Sequence, residues 1–331
     1  MENLENAIAA IKKELPGLKL LENEPLRNHC SFRIGGPARV IAVPQDVTSL
    51  SKICCILKEH QLAPFMLGNG SNILFPDEGL GELFIVSTEK LQKLFLLPDG
   101  AIYAEAGVSL AKLALFAQQN ALTGLEFASG IPGTVGGGLR MNAGAYGGEL
   151  KDVVESVVTL FVPDQGMYEL TNEQCDFGYR MSRFQKTGGF VLLSAVFRLA
   201  PGEKEEIAAK MRALNEKRRE KQPLDLPSAG SAFKRPEGHF AAALIDEAGL
   251  KGYRVGGAQV SEKHAGFVVN TGEATSHDVY ELLMHVRNTV YKNTGVAMEP
   301  EIIVMAPDYK LEDHGPSVAR NRISEGMIGE S

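Results

Sequence analysis

The segment SAGSAFKRP, residues 228–236, sets a small hydroxyl, Ser231, between Gly230 and Ala232 and ahead of Lys234 and Arg235. No G-x-S-x-G elbow surrounds it and no histidine adjoins it, so the segment alone leaves four roles open. They are nucleophile, phosphate-binding hydroxyl, proton donor and turn residue. A second constellation is GYRMSRFQ, residues 178–185, where Tyr179, Arg180 and Arg183 surround Ser182. Arginine's planar fork suits carboxylates and phosphates. Strand spacing would send Arg180 and Ser182 to one face and Arg183 to the other. KHAGFVVN, residues 263–270, sets His264 and Asn270 near the ends of an apolar strand, where a structural histidine is the simpler reading. In MEPEIIV, Glu299 and Glu301 frame a proline, and an acid opening an apolar strand marks Glu301 for a function.

Two glycine loops could hold a phosphorylated ligand. GNGSN comprises Gly68, Asn69, Gly70, Ser71 and Asn72; SGIPGTVGG carries Ser129, Gly130, Gly133, Thr134 and Gly137. Glycine lets the backbone turn with positive φ and approach a ligand closely, and successive N–H groups in such turns form anion-binding hollows. A diphosphate is the natural guest; tight turns in a sheet are the alternative. Neither loop is the G-x-G-x-x-G fingerprint or a Walker loop. The chain has 35 glycines, and nine fall between Gly124 and Gly148. Within that run, Asn142 and Tyr146 could offer hydrogen bonds around a flat heteroaromatic.

These residues need elements to hold them. Residues 32–44 read as a strand, a Gly-Gly turn and a second strand. A helix N-capped by Asp46 or Thr48 follows, then the strand PFMLG, the GNGSN loop and the strand LFIVS. KLFLLPDGAIYAEAG reads as a hairpin turning at Pro98-Asp99-Gly100, followed by the helix SLAKLALFAQQNAL. VVESVVTLFV and MYEL form a second hairpin, and GGFVLLSAVFRL is a further buried strand. Residues 203–222 form a charged helix with Ile207, Met211 and Leu214 on one face, suited to connect domains. A last unit has helices at 240–249 and 276–293 and strands near 255–260 and 266–270. Thr275 and Asp278 make a capping-box start for its long helix, and Gly295 ends it. The N-terminus reads as a short amphipathic helix ended by Pro16-Gly17, without the layout of a signal peptide.

The 331 residues allow two or three domains, and 44% hydrophobic content supplies a core. The net charge of −7 argues against a nucleic-acid partner. No apolar run reaches the roughly 18 residues of a membrane span. Cys30, Cys54, Cys55 and Cys175 show no metal or disulfide spacing, so reduced thiols in a cytoplasmic protein and no metal site are expected.

GNGSNIL, SGIPGTVGGGLRMNAGAYGGEL, FGYRMSRF, QPLDLPSAGSAFKRPEGHFA, KHAGFVVN and EPEIIV occur in this order. Over residues 25–306 they closely resemble the UDP-N-acetylenolpyruvoylglucosamine reductase (MurB) family. The resemblance implies an α+β chain: a two-subdomain FAD-binding fold of the p-cresol methylhydroxylase type, then a smaller α+β substrate-binding domain. The divisions become a helical extension (1–22), FAD subdomains at 23–88 and 89–202, a substrate domain at 203–306 and a polar tail at 307–331. It implies non-covalent FAD, NADPH as co-substrate, and reduction of UDP-N-acetylglucosamine-enolpyruvate to UDP-N-acetylmuramate for peptidoglycan. By the same resemblance the two glycine loops, with Asn142 and Ala143, would hold FAD, and Arg180, Ser231 and Glu301 match the catalytic trio. Tyr179, Lys234, Arg235, His264 and Asn270 become substrate-binding candidates, and a cytoplasmic monomer without membrane or nucleic-acid partners is expected. Lys234 and Arg235 are also candidates to help Ser231, a weak acid, release a proton.

The chain departs from common family patterns at three places. Ile303 stands where many members have arginine, Arg235 where others carry asparagine, and Leu139-Arg140 in a usually more apolar run. The short stretch after Phe184 fits the shorter, type II subgroup. Two other readings compete: a related flavin oxidase or dehydrogenase, with His29 as the candidate covalent tether, and a non-catalytic nucleotide-sugar-binding protein.

Overall fold

A computed structural model describes residues 2–305. The first unit begins with α1 (Glu2–Glu14) and β1 (Lys19–Pro25). It continues through β2 (Pro37–Val43), α2 (Val47–Glu59), β3 (Pro64–Leu67), β4 (Ile73–Leu74) and β5 (Leu80–Ser87). Its sheet runs β1-β2-β5-β3, with β2, β5 and β3 parallel and β1 antiparallel at the edge. Parallel strands need a crossover, and α2 supplies it. An Asp46–Ser49 capping box starts this helix, and Leu50, Ile53, Cys54 and Leu57 form its buried face. β1 pairs with β2 from Lys19 onward, so the expected division after residue 22 cuts a strand that belongs to this sheet.

A second correction falls at residues 32–34, which form no strand. Leu26–His29 is a 3₁₀ turn and Arg33 has φ of +56°. A left-handed residue breaks the alternation a strand requires, although Phe32 and Ile34 are buried as their apolar types suggest.

The second unit holds β6 (Leu94–Leu96), β7 (Ile102–Glu105), α3 (Leu110–Gln119), β8 (Leu122–Thr123) and α4 (Val135–Arg140). It adds the short hairpin β9–β10 (Gly144–Ala145, Gly148–Glu149), β11 (Val154–Phe161), β12 (Gly166–Thr171), α5 (Arg183–Lys186), β13 (Phe190–Phe197) and β14 (Ala200–Pro201). Both expected hairpins form, in one antiparallel sheet ordered β12-β11-β13-β7-β6. One apolar cluster joins Val86 and Leu57 of the first unit to Leu160, Val191 and Leu193 of the second, so the two units share a core.

The charged helix α6 (Lys204–Lys221) packs on the second unit, with Lys210 paired to buried Glu126 and Asn215 Nδ2 bonded to Ser129 Oγ. Its place is therefore beside the glycine-rich loop, ahead of the third unit. That unit comprises β15 (Ser228–Ser231), α7 (Ala241–Glu247), β16 (Arg254–Val255), β17 (Ala258–Val260), β18 (Phe267–Asn270) and α8 (Ser276–Thr294). Its sheet runs β15-β18-β17-β16, and α8 has the expected Thr275–Asp278 box and left-handed Gly295. The last strand, β19 (Ile303–Val304), lies outside this sheet and pairs in parallel with β4 of the first unit. The four cysteines are free. Among the described residues no helix is long and apolar enough to cross a membrane, and no His, Cys, Asp and Glu cluster could hold a metal. The polar tail lies outside the described residues.

Candidate active site

The GNGSN loop leaves the end of β3 and enters β4. Gly70 has φ of +57°, and a Cβ there would lie 2.3 Å from His29 O, so only glycine fits. Among the described residues the N–H groups of Asn69, Gly70, Ser71 and Asn72 donate to no protein acceptor. Four free donors in one turn form the hollow expected for an anion. Asn69 Nδ2 donates to Pro132 O at 2.8 Å, tying this loop to the second.

In the second loop, Thr134 caps α4 through Gly137 N at 3.2 Å. Consecutive glycines there have different reasons. A Cβ at Gly136 would meet Ala106, and one at Gly138 would meet Leu150 at 2.8 Å, so packing demands both. Gly133 and Gly137 have ordinary φ and only ordinary contacts around a built Cβ, so the protein itself does not need glycine there. Bare backbone facing open space beside free N–H donors fits a cofactor diphosphate and a flat ring.

Within the protein, the side chains of Asn142 and Ala143 support the loop. Asn142 is fully buried; its amide donates to Glu149 Oε2 and Gly178 O and accepts from Lys151 N. Its side chain is spent on holding the β9–β10 hairpin, and Ala143 is buried in the second core. Ser129 Oγ donates to Glu126 O. These side chains shape the loop from behind.

Backbone pairing sets Glu301 beside the Ser231 strand, and a side-chain ion pair brings Arg180 to Glu301. Arg180 sits at φ of +51° in a tight turn closed by the Gly178–Met181 bonds, so the strand alternation expected for 178–185 does not hold. Ser182 is instead fully buried and donates to Arg140 O. A left-handed arginine costs about 1 kcal/mol, and that turn aims its guanidinium across the site. Arg180 Nε donates to Glu301 Oε1 at 2.7 Å, and Nη2 donates to Gly144 O at 3.0 Å. The pair is largely buried, with 20% and 10% of the two side chains exposed. Burial pushes the Glu301 carboxyl above the ordinary range, against the opposing pull of Arg180.

Glu301 is fixed from two sides. Its N–H donates to Ala232 O, next to Ser231, and its carbonyl accepts from Asn72 Nδ2 of the GNGSN loop at 3.0 Å. Ser231 ends β15 after a register shift with Gly230 at φ of +81°. Such a bulge re-aims the side chain, and Ser231 is exposed with no protein partner for its hydroxyl among the described residues.

The two cations expected to assist Ser231 are engaged elsewhere. Lys234 Nζ donates to Glu299 Oε1 at 2.5 Å. Arg235 Nε donates to His239 O, and its guanidinium lies 4.0 Å from the Phe240 ring centre. Tyr179 does meet this segment, its hydroxyl accepting from Arg235 N at 3.1 Å. His264 and Asn270 read as structural. His264 Nδ1 accepts from Gly266 N, and burial lowers its pKa. Buried Asn270 donates to Phe32 O and accepts from Gly272 N and Ala274 N. His29 Nε2 meets Glu24 Oε1 at 3.0 Å. Reading the sequence missed Asn72 as a brace for Glu301 and Asn215 and Arg218 as a wall of the glycine loop; no pattern in a charged helix marks one face as lining a site.

A family model for the UDP-N-acetylenolpyruvoylglucosamine reductase C-terminal domain matches residues 222–305, and one for an FAD-binding domain matches residues 38–168. The chain is 46% identical to a UDP-N-acetylenolpyruvoylglucosamine reductase of Limosilactobacillus reuteri, over 90% of this chain and 99% of the relative. A protein of that name from Caldanaerobacter subterraneus is 46% identical over 89% of this chain and 96% of its own length. The solved MurB structure from Thermus caldophilus superposes with a TM-score of 0.74 at 34% identity, covering 87% of this chain and 99% of that one. With this likeness running through all three units, the chain belongs to the UDP-N-acetylenolpyruvoylglucosamine reductase family of FAD-dependent oxidoreductases.

Proposed function

We propose that the chain reduces UDP-N-acetylglucosamine-enolpyruvate to UDP-N-acetylmuramate, with NADPH as reductant and FAD held non-covalently. The observation that carries this reading is the largely buried Arg180–Glu301 pair, joined by a backbone bond to the Ser231 strand and through Asn72 Nδ2 to the GNGSN loop. FAD supplies the two-electron transfer when bound. The backbone of residues 68–72, with the bare faces of Gly133 and Gly137, would hold it.

Hydride addition to the vinyl carbon distal to the carboxylate moves an electron pair onto the substrate's α-carbon and carboxyl group. Arg180 offers that charge a fixed cation. Glu301, with its pKa raised by burial, offers a hydrogen bond in its acid form. The α-carbon then needs a proton. Ser231 is the proposed donor: its hydroxyl is exposed, unpaired and free to recover a proton from water.

An anaerobic two-step titration tests the proposal. NADPH should bleach the flavin, and the enolpyruvyl nucleotide sugar should restore its colour. A flavin that stays reduced with the sugar present overturns the substrate assignment. Colour remaining with the polypeptide after denaturation overturns non-covalent binding.

A further inference from the structure

We propose that Arg218 binds the diphosphate of a nucleotide that enters the site beside FAD. This rests on the function proposed above. Arg218 is half-buried on the face of α6 that packs against Gly130. A Cβ at Gly130 would lie 3.0 Å from Arg218 Cδ and 3.2 Å from Nη1, so the guanidinium reaches the glycine loop because that position has no side chain. Among the described residues no carboxylate or carbonyl accepts from this guanidinium, whereas Arg39, Arg180 and Arg198 each pair with a carboxylate. Burial pulls its pKa down; the group stays charged at neutral pH.

The β9–β10 hairpin relates Arg218 to the chemistry. Arg180 Nη2 holds Gly144 O at the base of that hairpin. Tyr146 lies at its tip with φ of +53°, and a Cβ at Gly148 of the same hairpin would lie 2.6 Å from the Phe127 ring, so the hairpin packs on the Glu126–Gly130 turn that Arg218 reaches. One hairpin therefore touches both the Arg180 guanidinium and the turn that Arg218 reaches. A ligand whose carboxylate reaches Arg180 can lay a second anionic group along the hairpin toward Arg218. A half-buried guanidinium without a counter-ion is matched by a doubly charged, planar-contact partner such as a diphosphate. Both NADPH and a nucleotide sugar carry one.

Arg218→Met and Arg218→Lys holoenzymes test this. Dissociation constants are measured for NADPH, from the concentration dependence of flavin reduction, and for UDP and uridine, from perturbation of the flavin spectrum. The methionine variant should weaken NADPH, UDP or both by roughly 10- to 100-fold, with lysine recovering part of the loss. Uridine, which lacks phosphate, should bind as before, an outcome that a merely structural role for Arg218 would not give. Whichever of NADPH and UDP is weakened identifies the source of the diphosphate. Both constants within two-fold of the parent, or loss of FAD with both unchanged, overturns the proposal. Failure of the enolpyruvyl sugar to reoxidise the parent flavin would sink the substrate assignment while leaving this result standing.

Discussion

Glu301→Gln separates a neutral hydrogen-bond donor from an ionised carboxylate at the same position. In the parent, burial raises the Glu301 pKa and Arg180 opposes it. If the acid form is the active one, the oxidative half-reaction is fastest below that raised pKa and slows as pH rises through it. The size of the slowing follows from Coulomb's law. A carboxylate at roughly 4 Å from the developing enolate charge, at an effective dielectric of about 20, costs about 4 kcal/mol, or roughly 10³ in rate. Glutamine keeps an N–H donor and an oxygen that can accept from Arg180 Nε. It should therefore lose only about 1 kcal/mol, roughly 5-fold, where the parent is fully active. Above the parent's pKa the variant should be the faster of the two, so the pH profiles cross. Stopped-flow reoxidation of prereduced enzyme by the enolpyruvyl sugar, across a pH series, reads both profiles. A variant slower by about 10³ at every pH, or a parent whose rate climbs with pH, would refute an acid role for Glu301.

Ser231→Ala should leave reduction by NADPH within two-fold and slow the oxidative half-reaction by roughly 10²–10⁴. Its exposed, unpaired hydroxyl predicts a stability change within about 0.5 kcal/mol by chemical denaturation; equal losses in both halves would make Ser231 structural. Gly137→Ala should keep or raise apoprotein stability by up to about 1 kcal/mol, because Gly137 is helical with room for a Cβ. The same methyl should weaken FAD by about 10-fold or more through steric conflict, and unchanged FAD affinity would move the cofactor off this loop.

The sequence by itself determined most of the local structure. Of the two caps offered for α2, Asp46 starts the helix, Thr275 starts α8 as expected, and Pro98-Asp99-Gly100 turns its hairpin. These signals are legible because they act within four residues of themselves. GNGSN could likewise be read as a phosphate loop, since positive φ at Gly70 is a property of that residue type.

Only the tertiary structure decided which side chains meet. Arg180 and Glu301 are 121 positions apart, and their contact depends on the Gly178–Met181 turn and on the pairing of β19 with β4 of the first unit. No local pattern encodes a parallel pairing between strands of two residues. The alternation assumed for 178–185 failed because Arg180 adopts a left-handed conformation that its type does not favour. That Asn142 also braces the β9–β10 hairpin from a buried position could not be read locally, since a polar side chain takes whichever partners packing delivers. Helix α6 read as a domain connector with one apolar face; its packing against Gly130, where the absent side chain leaves room for Asn215 and Arg218, is decided by a neighbour some 85 residues earlier in the chain.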